Sequence, residues 1–155
     1  MNIIIIIPCY NEYNRLSVKE FINYKSTKSN VIFLFVNDGS TDNTILLLKK
    51  LNLDYPSKFR FLDLKENQGK AEAIRLGIKS SLKLNFDYIG YLDADLSSPL
   101  NELNNIIEIL INNVEKKIVF GSRVKLMHNI VDRSNFRHII GRVFCTVTTL
   151  LLKLN

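Results

Sequence analysis

The sequence predicts an α/β fold, a doubly wound, mostly parallel sheet with helices on both faces. Short β-branched runs alternate with longer amphipathic stretches, and the strand-like runs are apolar throughout instead of alternating, as strands covered on both faces are. Polar loops also follow those runs at one end only. In chain order, the five isoleucines at 3–7 form the first strand, closed by Pro8. This run has no basic flank and no small-residue cleavage site, so it is not a targeting segment. Further strands are predicted at 31–36, 59–62, 88–92 and 118–120. Between them, "KAEAIRLGIKSSLKL" repeats apolar residues at Ala71, Ile74, Ile78 and Leu82. The stretch "PLNELNNIIEILINNV" does so at Leu100, Leu103, Ile107, Leu110 and Val114, and both spacings are those of a helix with one buried face.

The bulk properties fit this architecture. With 155 residues and 46% hydrophobic content, the chain has room for one core and not for a second domain of ordinary size. The net charge of +6 favours anionic partners: nucleotides, phosphates, nucleic acid or acidic lipid. Nucleic acid is the weakest of these, because the excess charge is spread along the chain and no strand interleaves aromatic with basic residues. Cys9 and Cys145 lie far apart without metal-ligand spacing, which points to a reducing cytoplasm with neither zinc nor a disulfide framework. His128 and His138 share no metal-ligand spacing either. No run approaches the roughly 20 apolar residues that a spanning helix needs.

In open α/β sheets ligands collect beyond the carboxyl ends of the strands. Five polar sets stand there: "PCYNE" at 8–12, "NDGSTDNT" at 37–44, "NQGK" at 67–70, "DADLSS" at 93–98 and "GSR" at 121–123. In the second set Gly39 permits a tight turn, Ser40 or Thr41 can cap the following helix, and Asp38 ends the strand. Asp38 reads either as an Asx turn or as an acceptor for a ribose hydroxyl or a base N–H. In the third, Gly69 precedes a helix whose free N–H groups, with Lys70, can hold phosphate oxygens; the plainer reading is a helix start with a solvated lysine. Tyr10 and Glu12 belong either to a turn after Pro8 or to a binding rim.

The fourth set carries the strongest signal. Capping by Asp95 or Ser98 of a helix begun by Pro99 accounts for part of it. It does not account for Asp93, a carboxylate ending the apolar "YIGYL" that is costly there unless paired. Two hard oxygen ligands one residue apart suit Mg²⁺ or Mn²⁺, which completes its shell with water and substrate phosphates.

Taken together, "IIIPCYNE", "VNDGSTDNT", "NQGKAEAIRLGI", "DADLSSP" and "GSR", in this order and spacing, resemble the family 2 glycosyltransferases of the GT-A fold, a Rossmann-like arrangement that binds nucleotide sugars. The forms "DADLSSP" and "GSR" look most like the polyprenyl-phosphate sugar synthases, such as the dolichyl-phosphate mannose and glucose synthases. The resemblance implies that Pro8, Tyr10, Glu12, Val36 and Asp38 contact the nucleoside of a UDP-sugar or GDP-sugar. It implies that Asp93 and Asp95, with Ala94 between them, hold the metal against the diphosphate, with Ser97 alongside. Transfer would invert the anomeric carbon by direct displacement.

A hydroxyl acceptor needs a general base, and after Asp95 only Glu102, Glu108, Glu115 and Asp132 remain, none obviously placed. A lipid phosphate is already anionic and needs cations. Arg123 and Arg137 match positions where the resembling synthases hold that phosphate, so Asp93, Asp95 and Arg123 form the expected catalytic set. The synthases commonly carry a serine where this chain has Gly141, and they continue past the point corresponding to Asn155. Residues 1–155 are therefore expected to be the donor-binding part of a catalytic domain whose acceptor side is incomplete. The segment "FRHIIGRVFCTVTTLLLKLN" either packs under that remainder or lies on a membrane beside a lipid acceptor, at the inner face of the cell membrane. The rival readings are a family 2 transferase that adds sugar to a glycan hydroxyl, a nucleotidyltransferase lacking its Gly-rich loop, and a nucleotide-binding fragment without turnover.

Overall fold

The computed structural model describes residues 1–121. The chain divides into two units, Met1–Val119 and Phe120–Asn155, and the account below concerns the first. Four strands, β1 (Asn2–Cys9), β2 (Asn30–Asp38), β3 (Phe59–Leu64) and β4 (Tyr88–Tyr91), alternate with four helices, α1 (Val18–Asn23), α2 (Thr44–Asp54), α3 (Lys70–Ser81) and α4 (Leu100–Asn112). The strands form one sheet in the order β3-β2-β1-β4, and every pairing is parallel. Ile5 pairs with Phe33 on one side and Gly90 on the other.

The isoleucine run follows from this position. Successive strand side chains face opposite ways, and β1 lies between two neighbours with a packed layer on each face. Ile3, Ile5 and Ile7 point into a layer with Phe21, Phe33, Phe35, Leu48, Phe59, Leu103 and Ile107. Ile4 and Ile6 point into the opposite layer, with Ile32, Leu34, Val36 and Ala73. The first layer is held by edge-on aromatic contacts, Phe21 standing 5.2 Å from both Phe33 and Phe35. The doubly wound expectation holds, with α3 alone covering the second face among the described elements.

The structure corrects three local expectations. The buried face of α3 is Ala73, Gly77 and Ser81, not Ala71, Ile74, Ile78 and Leu82; Ile78 is 39% and Leu82 71% exposed. Small residues four apart let the helix approach the sheet closely, and a Cβ at Gly77 would lie 2.7 Å from Ile6 Cγ2. The face of α4 is as expected at Leu100, Leu103, Ile107 and Leu110, but Val114 falls beyond the helix end and is exposed. The run 118–120 forms no strand: Ile118 is 79% and Phe120 81% exposed, and so little burial does not offset the entropy of ordering three residues. Among the described residues no helix is long and apolar enough to cross a membrane.

Candidate functional site

The loops after β1, β2, β3 and β4 converge at the carboxyl end of the sheet on a cleft of about 360 Å³. A larger groove of about 630 Å³ runs past Met1, Asp87, Tyr88 and Lys116. Its one carboxylate, Asp87, already accepts from the Asn2 N–H at 2.7 Å, and no strand-end loop reaches it. The smaller cleft, where the strand-end residues meet, is therefore the candidate site.

The loop after β1 is fastened to the loop after β2. Asn11, at φ 53°, accepts through Oδ1 from the N–H of Thr41 at 2.9 Å and gives its own N–H to Ser40 Oγ at 3.0 Å. The Glu12 N–H donates to Thr44 Oγ1 at 2.9 Å, and Thr44 in turn donates to Asp42. Ser40 and Thr41 thus do not cap α2, whose N-cap is Asn43; their hydroxyl and amide groups bind the β1 loop instead. Asp42 is drawn toward a higher pKa by burial, but hydrogen bonds from Thr44 and Tyr13 outweigh that and hold its carboxyl below the usual range.

Glu12 is nearly buried, and both its oxygens receive the Arg15 guanidinium, Nε at 3.0 Å and Nη2 at 2.5 Å. This bidentate bond and the Glu12 charge raise the Arg15 pKa, with a further contribution from Asp95. Arg15 also lines the cleft, and sequence reasoning missed it. The signal was a Glu and an Arg three residues apart in a turn, a spacing that is common in solvated loops. Cys9 lines the cleft too, but burial, aided by the Glu12 charge, pushes its thiol pKa up, so it stays protonated and is no nucleophile.

Asp38 is 2% exposed at the cleft floor, and its carboxylate ties down the loop after β3. Oδ1 accepts from the Gln68 N–H at 2.8 Å and Oδ2 from the Gly69 N–H at 2.9 Å. Gly69, the N-cap of α3, thus gives its own N–H to Asp38, while the N–H groups read from sequence as a phosphate site are those of the helix that follows it. Replacing Asp38 with Ala is expected to cost about 2 kcal/mol in urea denaturation, since the Gln68 N–H loses its acceptor and the Gly69 N–H keeps only Asn67 Oδ1 at 3.1 Å, and Asp38→Asn about half of that. Equal stability of all three proteins would show that water replaces the carboxylate.

The "DADLSS" loop bends where it leaves β4. Leu96 sits at φ 52°, a left-handed conformation costing on the order of 1–2 kcal/mol, and its side chain packs against the core. Asp95 Oδ1 accepts from the Ser97 N–H at 2.9 Å, closing an Asx turn. Neither Asp95 nor Ser98 caps α4: its N-cap is Pro99, and the cap makes no side-chain hydrogen bond. Ala94 is buried, and Asp93, Ala94 and Asp95 all face the cleft. Asp93 Oδ1 is shielded from solvent and makes no aligned hydrogen bond, while Lys70 Nζ lies 2.6 Å from it.

The cleft thus gathers Pro8, Tyr10, Glu12, Asp38, Lys70, Asp93, Ala94 and Asp95 from the carboxyl ends of β1 and β2, the start of α3 and the loops after β1 and β4. Val36 is not among them. It lies on the same strand face as Asp38 but two residues deeper, fully buried under α3. Ser97 is exposed beside Asp95 and does not line the cleft. Arg123, Arg137, the two histidines and the C-terminal segment lie outside the described residues.

A family model described as "Glycosyl transferase family 2" matches residues 4–150. This chain belongs to glycosyl transferase family 2. Dolichyl-phosphate beta-glucosyltransferase of Dictyostelium discoideum is 33% identical over 150 residues, 88% of this family 2 chain and 45% of that protein. Poly-beta-1,6-N-acetyl-D-glucosamine synthase of Staphylococcus aureus (strain MSSA476) is 38% identical over 92 residues, 58% of the chain and 21% of the synthase. The chain thus spans less than half the length of these relatives. Among solved structures, the mannosyltransferase PcManGT from Pyrobaculum calidifontis, in complex with GDP-Man and Mn²⁺, superposes with a TM-score of 0.58 at 22% identity, over 70% of this chain and 32% of that one. S. aureus TarS 1-349 with UDP-GlcNAc gives 0.53 at 16% identity, over 74% and 32%. Likeness at this level of identity establishes the shared fold.

Proposed function

We propose that this chain is the donor-binding part of an inverting hexosyltransferase that moves sugar from a nucleoside-diphosphate sugar to a polyprenyl phosphate. The observation that carries this reading is the juxtaposition of Asp93 and Asp95 with the β1 and β2 loops in one cleft of a family 2 chain. Kinship with a dolichyl-phosphate beta-glucosyltransferase over 88% of the chain supports the lipid acceptor.

Residues 1–155 then form one catalytic part. Pro8 and Tyr10 provide the surface for the nucleoside, while Glu12 and Asp38 act through the loops they hold. The residues present fit a divalent cation. Asp93 Oδ1 is a shielded oxygen with unused hydrogen-bonding capacity, and Asp95 shares its cleft. Asp93 and Asp95 would share the shell of such an ion, Mg²⁺ or Mn²⁺, with water and substrate phosphate. When bound, such an ion neutralises charge on the departing nucleoside diphosphate. Lys70 stands at the same carboxylate, within the cleft that the diphosphate would enter. A phosphate acceptor needs no general base, and Arg123 and Arg137 supply the cations that orient it. The lipid acceptor sets the site of action at the cytoplasmic face of the membrane.

The second reading, transfer to a glycan hydroxyl, is supported by 38% identity to the poly-beta-1,6-N-acetyl-D-glucosamine synthase over 92 residues, 58% of the chain. Calorimetry with UDP- and GDP-sugars, with and without Mn²⁺, is expected to give divalent-dependent binding of one of them. Transfer is then assayed to a short polyprenyl phosphate and to an oligosaccharide. No divalent-dependent binding of either nucleotide sugar would sink the proposal. Transfer to the oligosaccharide alone would select the second reading.

A further inference from the structure

Four carboxylates line the cleft, Glu12, Asp38, Asp93 and Asp95, against two cations, Arg15 and Lys70. Clustered like charges need compensation. For three of the four it is built into the fold: Glu12 has the Arg15 fork, Asp38 has two backbone N–H groups, and Asp95 has the Ser97 N–H. Asp93 differs. Its shielded Oδ1 has no aligned donor, only the Lys70 ammonium at 2.6 Å.

Lys70 is suited to a contact that is made and given up. It is the first residue of α3, and the two residues before it are pinned to Asp38, so the root of its side chain is fixed. Its side chain is 57% exposed, and an ammonium on a four-carbon stem is a mobile point charge with no fork geometry to lose. Two cations cannot occupy the same face of one carboxylate oxygen.

We propose that Lys70 is the exchangeable counter-cation of Asp93: it neutralises that carboxylate in the empty cleft, and gives it up when a divalent ion and a diphosphate enter together. This rests on the metal reading of Asp93 given above. The consequence is coupling. Lys70 opposes the divalent ion alone, because the ion must displace it. It assists the ion when a diphosphate is present, because the released ammonium then meets an anion. Each ligand therefore raises the affinity for the other, and Lys70 carries part of that coupling.

The test measures free Mn²⁺ by electron paramagnetic resonance during titration of the full 155-residue chain, with and without UDP or GDP. Lys70→Met and Lys70→Gln are expected to bind Mn²⁺ alone about tenfold tighter than the parent, from removal of one unit charge beside a divalent site. In both, the gain in Mn²⁺ affinity on adding the nucleoside diphosphate shrinks, and Lys70→Arg restores it in part. Asp93→Asn loses Mn²⁺ binding. If Asp93→Asn loses it but both Lys70 variants keep the parental Mn²⁺ affinity, the Lys70 proposal is overturned and the metal reading stands. If Asp93→Asn binds Mn²⁺ like the parent, both are overturned.

Discussion

Asp93→Ala and Asp95→Ala are each expected to lower divalent-dependent binding of a sugar nucleotide by at least about 100-fold. Loss of groups that merely orient a metal ligand costs 10- to 100-fold in metal affinity, and loss of a charged ligand belongs at or beyond the upper end of that range. Calorimetry with a UDP- or GDP-sugar and Mn²⁺ measures the effect directly. Stability should hardly change. Asp93 meets only a half-exposed lysine and Asp95 closes an exposed turn, so each substitution costs about 1 kcal/mol or less in urea unfolding. A large loss of ligand binding with an almost unaltered fold separates a binding role from a structural one. Unchanged affinity in both variants would falsify the carboxylate clamp.

Gly39→Ala has the opposite profile, a large effect on the fold. Gly39 sits at φ 62°, where an L side chain is strained, and a Cβ there would collide with backbone atoms of Glu66 and Asn67. Those atoms cannot rotate away as a side-chain end can. Strain of about 1–2 kcal/mol and overpacking of about 1–3 kcal/mol together predict a loss of roughly 3 kcal/mol. For a domain of this size, that moves the urea midpoint down by about 1 M or more. The loop 66–69 would shift as well, carrying Lys70 away from Asp93. A midpoint unchanged within error would mean that the 66–69 loop yields freely and is not held in place by Asp38.

Much of the site was legible because it obeys local rules. An apolar run ending in Pro8, Asp38 or Asp93 marks a strand end, and parallel strands bring such ends to one rim whatever the details of packing. The partners of each group were not legible. The caps expected of Ser40, Thr41 and Ser98 rest on their sequence neighbours, yet Ser40 and Thr41 bond to Asn11, some 30 positions earlier. Arg15 went unnoticed because its role depends on Glu12 being nearly buried, which spacing does not reveal. The face of α3 was misread for a related reason. Hydrophobicity ranked Ile78 above Gly77, but close approach to Ile6 rewards the smaller residue.

By itself the sequence determined the four strands that form the sheet and the two amphipathic helices α3 and α4, the parallel sheet with two buried faces, and the polar rim with its pair of carboxylates. These follow from periodicity and turn chemistry, which act over a few residues. It did not mark α1, and the strand it suggested at 118–120 does not form. Only the tertiary structure decided that Asp38 spends its oxygens on the Gln68 and Gly69 amides, that Val36 lies in the core, and that Lys70 stands against Asp93. Each of these joins residues some 20 or more positions apart, or depends on how closely a helix meets the sheet. Distance along the chain carries no record of either.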